Sequence, residues 1–241
     1  MGFFDFFTRQ KSLKPYGWDI HSHLIPGIDD GSNDVNESME MIRSLVKIGF
    51  THFICTPHIM SDFYKNDRQT ITTAFNKLID AIQIEKLDIH IEFAAEYYLD
   101  EGFVDKLEND DLLTFGDNYL LFETSYMNKP SNLKDVIFKM ITKGYKPILA
   151  HPERYTYMFD DFYKYEDLYN TGVLFQINTN SLTGYYSKKS MKIAQKLIDT
   201  NMIDFLGSDC HKPKHVSVMK QAMSTKHYLR ALTKNLKNNT F

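Results

Sequence analysis

An α/β fold built on parallel strands is the class this sequence predicts, and three observations predict it. Short apolar runs alternate with amphipathic stretches along most of the chain. No Gly-rich phosphate loop opens any of those stretches, which argues against a dinucleotide-binding or P-loop fold. The 241 residues, 43% of them hydrophobic, suffice to bury one large core. Parallel strands need helical crossovers, so a closed barrel or a doubly wound sheet is expected, as a single domain over residues 1–241.

The elements follow in order. An aromatic N-terminal segment, residues 1–16, carries Phe3, Phe4, Phe6 and Phe7. That cluster is expected to pack on its own domain rather than to meet a membrane or a partner. Seven apolar runs read as strands: residues 18–21, 53–56, 91–95, 119–122, 147–150, 173–177 and 203–207. Helical patterns lie between them. Residues 35–48 place Met39, Ile42, Leu45 and Val46 on one face before the stop at Gly49, and residues 71–86, 133–143 and 187–200 follow the same logic. The polar tail, about residues 230–241, is expected to fray.

Composition excludes several classes of function. A net charge of -3 leaves no strongly basic surface, so nucleic acid is not an expected partner. The two cysteines, Cys55 and Cys210, are far apart and do not suggest a disulfide framework, which fits a reducing, cytoplasmic setting. No apolar run approaches the roughly 20 residues of a membrane span, and the start lacks the order of a signal peptide. A soluble protein with no transmembrane segment is expected.

The chemistry sits where the runs end. His21 and His23 close the first run, His58 the second, Glu96 the third, Glu123 the fourth, His151 the fifth, and Asp209 with His211 the seventh. On a strand, residues i and i+2 share a face, so His21/His23 and Asp209/His211 should each project as a pair. One lone histidine is commonly a hydrogen-bonded core or surface residue, but a coincidence across six runs points to a shared site. Imidazoles mixed with carboxylates suit manganese, iron, zinc or magnesium, and more than four ligands imply more than one ion. Close divalent ions activate water and neutralise phosphoryl charge, so phosphoester hydrolysis is the expected reaction. Arg154, in His151-Pro-Glu-Arg154, is placed to hold two phosphate oxygens; the alternative is a surface salt bridge to Glu153 or Asp160. Ser61 and Val216 stand six residues after the cysteines, so the Cys-x5-Arg loop of thiol phosphatases is absent.

Asp19-Ile-His-Ser-His23, Pro26-Gly-Ile-Asp-Asp-Gly31, Thr56-Pro-His58, Ala95-Glu96, Ala150-His-Pro-Glu-Arg-Tyr155 and Gly207-Ser-Asp-Cys-His211 resemble the PHP (polymerase and histidinol phosphatase) superfamily. The strongest likeness is to its bacterial CpsB-type protein-tyrosine phosphatases of capsule and exopolysaccharide loci. The resemblance implies a distorted (β/α)7 barrel, TIM-like, with two to three divalent metal ions, usually manganese. It implies a phosphotyrosine substrate on the tyrosine kinase that controls polysaccharide polymerisation and export. One metal would take His21, His23, Glu96 and Asp209; a second Glu96, Glu123 and His151; a third Asp30, His58 and His211. A metal-bridging hydroxide would attack phosphorus while Arg154 holds the phosphate and His58 or His211 assists the leaving group. After His211 the family pattern of Asn and a nearby Arg is replaced by Lys212, Pro213 and Lys214, so a lysine would supply any second basic contact. Two other readings share these residues: a phosphoesterase for a small metabolite such as histidinol phosphate, and a catalytically silent, metal-stabilised interaction module.

Overall fold

Polar residues ahead of the amphipathic stretches start the helices by accepting hydrogen bonds from free amides. The computed structural model describes residues 13–241. Asp34 caps α1 (Val35–Lys47) by accepting from the amides of Asn36 and Glu37, and Asp67 with Thr70 forms a reciprocal capping box for α2 (Arg68–Glu85). Asp100 caps α3 (Glu101–Glu108), and α4 (Leu133–Thr142) and α5 (Tyr163–Tyr169) follow. Ser187 caps α6 (Lys188–Asp199), Pro213 opens α7 (Pro213–Ala222) with its fixed φ, and Thr225 caps α8 (Lys226–Ala231). The helix expected at residues 71–86 therefore begins three residues earlier than its apolar period suggested. The helices α3, α5 and α8 escaped the sequence reading because each is short, and α7, as long as α4, was not read either.

The strands are β1 (His52–Cys55), β2 (His58–Ile59), β3 (His90–Phe93), β4 (Glu96–Tyr98), β5 (Tyr119–Glu123), β6 (Lys146–Ala150), β7 (Leu174–Asn178) and β8 (Phe205–Gly207). Every pairing between them is parallel, as the alternation required. They form two sheets, β1-β3 and β2-β4-β5-β6-β7-β8, rather than one continuous ring. The strand expected at residues 18–21 is not regular. It makes single parallel bridges, Asp19 to Phe53 and Ser22 to Cys210, which link it to β1 and to the chain beyond β8. The second and third runs are each broken: β1 stops before Pro57, which has no amide to donate, and β3 stops at Ala94-Ala95. Hydrogen bonds from the Ala94 amide to the Cys55 carbonyl and from the Glu96 amide to the Pro57 carbonyl carry the pairing across both breaks.

Alternation along the strands sorts side chains into two buried layers. Phe53, Cys55, Leu120, Phe122, Leu149, Phe175, Ile177 and Leu206 pack with the helices in the larger core. Ile20, Ile54, Ala94, Leu121, Ile148, Ala150 and Phe205 form a second, smaller cluster on the other face, joined by Phe115 and Tyr119. The tail does not fray. Phe241 packs edge-on against Trp18, Phe115 and Tyr119, and the fully buried Asn238 donates to the carbonyls of Trp18 and Leu206 and accepts from the Leu206 amide. A polar sequence concealed this, because an asparagine is as able to satisfy buried backbone as to meet water. The cluster Phe3, Phe4, Phe6 and Phe7 lies outside the described residues.

Candidate metal centre

The smaller cluster leads directly into the site. Leu121 and Glu123 share one face of β5, and Ala94 of the smaller cluster stands just before Glu96 at the start of β4, so the apolar layer gives way to ionisable side chains at the site. His21, His23, Asp30, His58, Glu96, Glu123, His151, Asp209 and His211 all meet there. They form four overlapping groups, each with potential ligand atoms within 4.8 Å of one another: His23/Asp30/His58/His211, His21/His23/Glu96, His21/His151/Asp209 and His58/Glu96/Glu123. Asp30 is half-exposed at the rim, and most of the rest are buried.

The distances describe convergence rather than ordinary pairing. Glu96 Oε2 lies 3.1 Å from His21 Nε2, 3.3 Å from His23 Nε2 and 3.2 Å from His58 Nδ1, while its Oε1 lies 3.2 Å from His151 Nε2. Yet both Glu96 oxygens and His58 Nδ1 are buried without a hydrogen-bond partner. Buried polar atoms left so close and so unsatisfied are aimed at a common point, which is what a cation between them requires. His58 faces both ways, with Nδ1 3.4 Å from Glu123 Oε1 and Nε2 3.4 Å from Asp30 Oδ1. His211 bridges similarly, 3.3 Å from Asp30 Oδ1 and 3.2 Å from Asp209 Oδ1. The donor set therefore fits hard or borderline divalent ions.

The local backbone departs from the simple alternation expected. His151 and Asp209 lie beyond the ends of β6 and β8 with φ of +35° and +48°, a left-handed kink that is costly for residues bearing a Cβ. The pairs His21/His23 and Asp209/His211 do converge, but through these irregular segments and not through regular strands. Two glycines make the crowding possible. A Cβ on Gly31 would lie 2.3 Å from the His23 carbonyl oxygen, and one on Gly207 2.9 Å from the His21 Cβ.

A supporting layer orients the ligands. Gln176 Oε1 sits 2.7 Å from His21 Nδ1, and Asp29 Oδ2 sits 2.7 Å from His23 Nδ1, so both imidazoles turn Nε2 inward. Gln176 donates in turn to Asn178, which donates to Asp209 Oδ2 over 2.6 Å. Asp29 also accepts from the amides of Gly31 and His58. Sequence reading missed these three. Asp29 was visible only as the neighbour of Asp30, whereas Gln176 lies in, and Asn178 directly after, the one apolar run without a ligand at its end.

Arg154 follows His151 in a short 3-10 turn and is held from three sides. Its guanidinium lies 4.6 Å from the Tyr126 ring centre and 4.2 Å from that of Tyr186, and Nη1 donates to Asp209 Oδ2 over 2.9 Å. The alternative salt bridge is overturned: Glu153 points away to accept from the Asn178 amide and the Ser181 hydroxyl, and Asp160 pairs with Lys189. The ligand-type side chains, Arg154 and an aromatic rim including Tyr64, Tyr126 and Tyr185 surround a cavity of about 490 Å³.

With this geometry in place, comparison with known proteins is decisive. The family described as "Capsular polysaccharide synthesis, CpsB/CapC" matches residues 17–237. The chain belongs to this family. The CpsB-type resemblance read from the sequence is thereby borne out. The chain is 30% identical over 197 residues to the tyrosine-protein phosphatase YwqE of Bacillus subtilis, covering 81% of this chain and 78% of the relative. It is 23% identical over 199 residues to the tyrosine-protein phosphatase CpsB of Streptococcus agalactiae, covering 80% and 82%. A crystal structure from work on YwqE and on CpsB of Streptococcus pneumoniae, described as unique metal-dependent tyrosine phosphatases, superposes with a TM-score of 0.76 at 27% identity. That match covers 87% of this chain and 89% of the other.

Within this CpsB/CapC site, burial and neighbouring charges move the ionisable groups in opposite directions. Burial would raise the Glu96 carboxyl, but His21 and His58 outweigh it and hold it well below the usual range. Burial and the adjacent Glu96 push Glu123 well above it. Burial lowers His151 to about 4, and it raises Glu153 to about 7. Both cysteine thiols are pushed upward by burial. Cys210 Sγ lies 3.6 Å from Met41 Sδ, Cys55 packs in the larger core, and neither cysteine lines the cavity.

Proposed function

We propose that this chain is a metal-dependent protein-tyrosine phosphatase whose strands close into a distorted (β/α)7 barrel forming one domain. The observation that carries the reading is the convergence of nine ligand-type side chains beside an oriented arginine, in a chain of the CpsB/CapC family. Two or three divalent ions, manganese foremost, would be held by His21, His23, Glu96 and Asp209, by Glu96, Glu123 and His151, and by Asp30, His58 and His211. Bound there, such ions supply an activated water and neutralise phosphoryl charge. Arg154 keeps its remaining N–H groups at the cavity and takes non-bridging phosphate oxygens, while the tyrosine slot fixes the plane of its fork. His58 or His211 would assist departure of the phenolate only while its ring nitrogen at the cavity is not bound to an ion, and a phenolate with a pKa near 10 leaves with little such help. The substrate is phosphotyrosine on a protein, with a tyrosine kinase of polysaccharide export as the expected partner, in the cytoplasm. Among the described residues no helix is long and apolar enough to cross a membrane.

The test is turnover of p-nitrophenyl phosphate, a phosphotyrosine peptide and a phosphoserine peptide after loading with manganese. Turnover of the first two is expected. A metal-loaded, folded sample that cleaves the phosphoserine peptide as fast as the phosphotyrosine peptide would overturn the assignment.

A further inference from the structure

The cavity above the ligands continues sideways. A second cavity of about 490 Å³ opens beside it, and Met60, Phe63, Glu123 and Tyr126 line both. Its walls are held in place. One is the chain from Thr124 to Met127, directly after Glu123, and the other is the loop at Ser61, whose amide donates to the α3 cap Asp100 over 2.8 Å. Phe63 and Met127, 78% and 74% exposed, stand in water on its lip. Other strongly exposed large apolar side chains, such as Ile84 on α2 and Phe138 on α4, line neither cavity. Exposed apolar groups gathered around one concavity mark a recognition surface. Charge is divided across the mouth. Besides Glu123, which it shares with the catalytic cavity, the groove is lined by Asp62 and Asp100 and by no cation, whereas Lys212 lines the catalytic cavity and Lys214 lies 5.9 Å above the Tyr185 ring beside it.

We propose that this groove is a substrate subsite that accepts an uncharged apolar side chain adjacent to the phosphotyrosine and disfavours an acidic one. The proposal rests on the tyrosine-phosphatase reading above. A phosphotyrosine whose phosphate reaches Arg154 leaves its own backbone at the cavity mouth, where a neighbouring side chain falls over the groove. Apolar contact with Met127 favours aliphatic neighbours, and the carboxylate of Asp62 repels acidic ones.

Manganese-loaded protein would be assayed on p-nitrophenyl phosphate, which is too small to reach the groove, and on three phosphotyrosine peptides with Leu, Ala or Glu on both sides of the phosphotyrosine. The Leu peptide should exceed the Glu peptide in kcat/KM by roughly tenfold or more, with the difference in KM. Met127→Ala should reduce the Leu preference and Asp62→Lys should improve the Glu peptide, both with unchanged turnover of p-nitrophenyl phosphate. Equal kcat/KM for all three peptides, with normal turnover of p-nitrophenyl phosphate, would overturn the subsite. So would a Leu preference indifferent to both substitutions. Failure to turn over any of the four substrates would instead overturn the phosphatase reading, and the subsite with it.

Discussion

Arg154 and Glu153 are neighbours in the chain with opposite tasks. Arg154 reaches the cavity between two aromatic faces, while Glu153 turns into the protein to hold the Asn178 amide and the Ser181 hydroxyl. Arg154→Ala should lower kcat/KM on phosphotyrosine by roughly 10²-fold or more, about 2.7–4 kcal/mol, the loss typical of one preorganised charge donor. Metal content should be retained, because Asn178 still donates to Asp209. Lysine should rescue only partly, since an ammonium restores the charge but not the fork. Glu153→Ala should act on stability instead: it orphans a buried amide and a buried hydroxyl, at about 1–3 kcal/mol each, and a chain of this size loses about 2–4 °C in melting temperature per kcal/mol. Glu153→Gln should be much milder. It keeps an acceptor, and a carboxyl already raised to about 7 by burial has little need of its charge. Steady-state kinetics and thermal unfolding of the four variants separate the two roles, and an Arg154→Ala protein with normal turnover would contradict the assignment.

Elements show where sequence reasoning reaches its limit. The runs at residues 119–122 and 147–150 were legible because β5 and β6 are buried on both faces and read as unbroken apolar stretches. The run at residues 18–21 misled, because its apolar residues are fixed by isolated bridges and by the tail rather than by a ladder. Ligands were legible because metal chemistry demands a few residue types at the ends of runs. The slot around Arg154 was not, since Tyr126 and Tyr186 come from irregular segments with no period to betray them. The tail itself is testable. Asn238→Ala removes three hydrogen bonds to the buried backbone of Trp18 and Leu206, so it should cost roughly 3 kcal/mol at about 1 kcal/mol per bond. A melting temperature within a degree of the parent protein would show that the tail is dispensable.

At the scale of the whole molecule, the fold gathers carboxylates and imidazoles from opposite ends of the sequence into one buried volume. Glu96, Glu123 and Asp209 have little water to share their charge with, so cations should stabilise the fold as well as the reaction. Two or three divalent ions per chain are expected by metal analysis, and chelation should abolish phosphatase turnover and lower the melting temperature by several degrees. An active, folded sample with less than one metal per chain would refute this. Cys55→Ser and Cys210→Ser should retain most turnover, and loss of all turnover with metals still bound would restore a thiol mechanism.

The burial of both thiols also bears on how such a catalyst ages. A phosphatase that relies on a low-pKa thiolate is switched off by peroxide, because the same electron pair that attacks phosphorus attacks oxygen. Here both sulfurs lie in the core with their pKa values raised, so alkylating agents and mild oxidants find no exposed thiolate. Exposure to iodoacetamide should leave turnover intact, and oxidative inactivation, where it occurs, should be reversed by resupplying metal rather than by a thiol reductant. Dephosphorylation would then persist through an oxidative burst that silences thiol-based phosphatases.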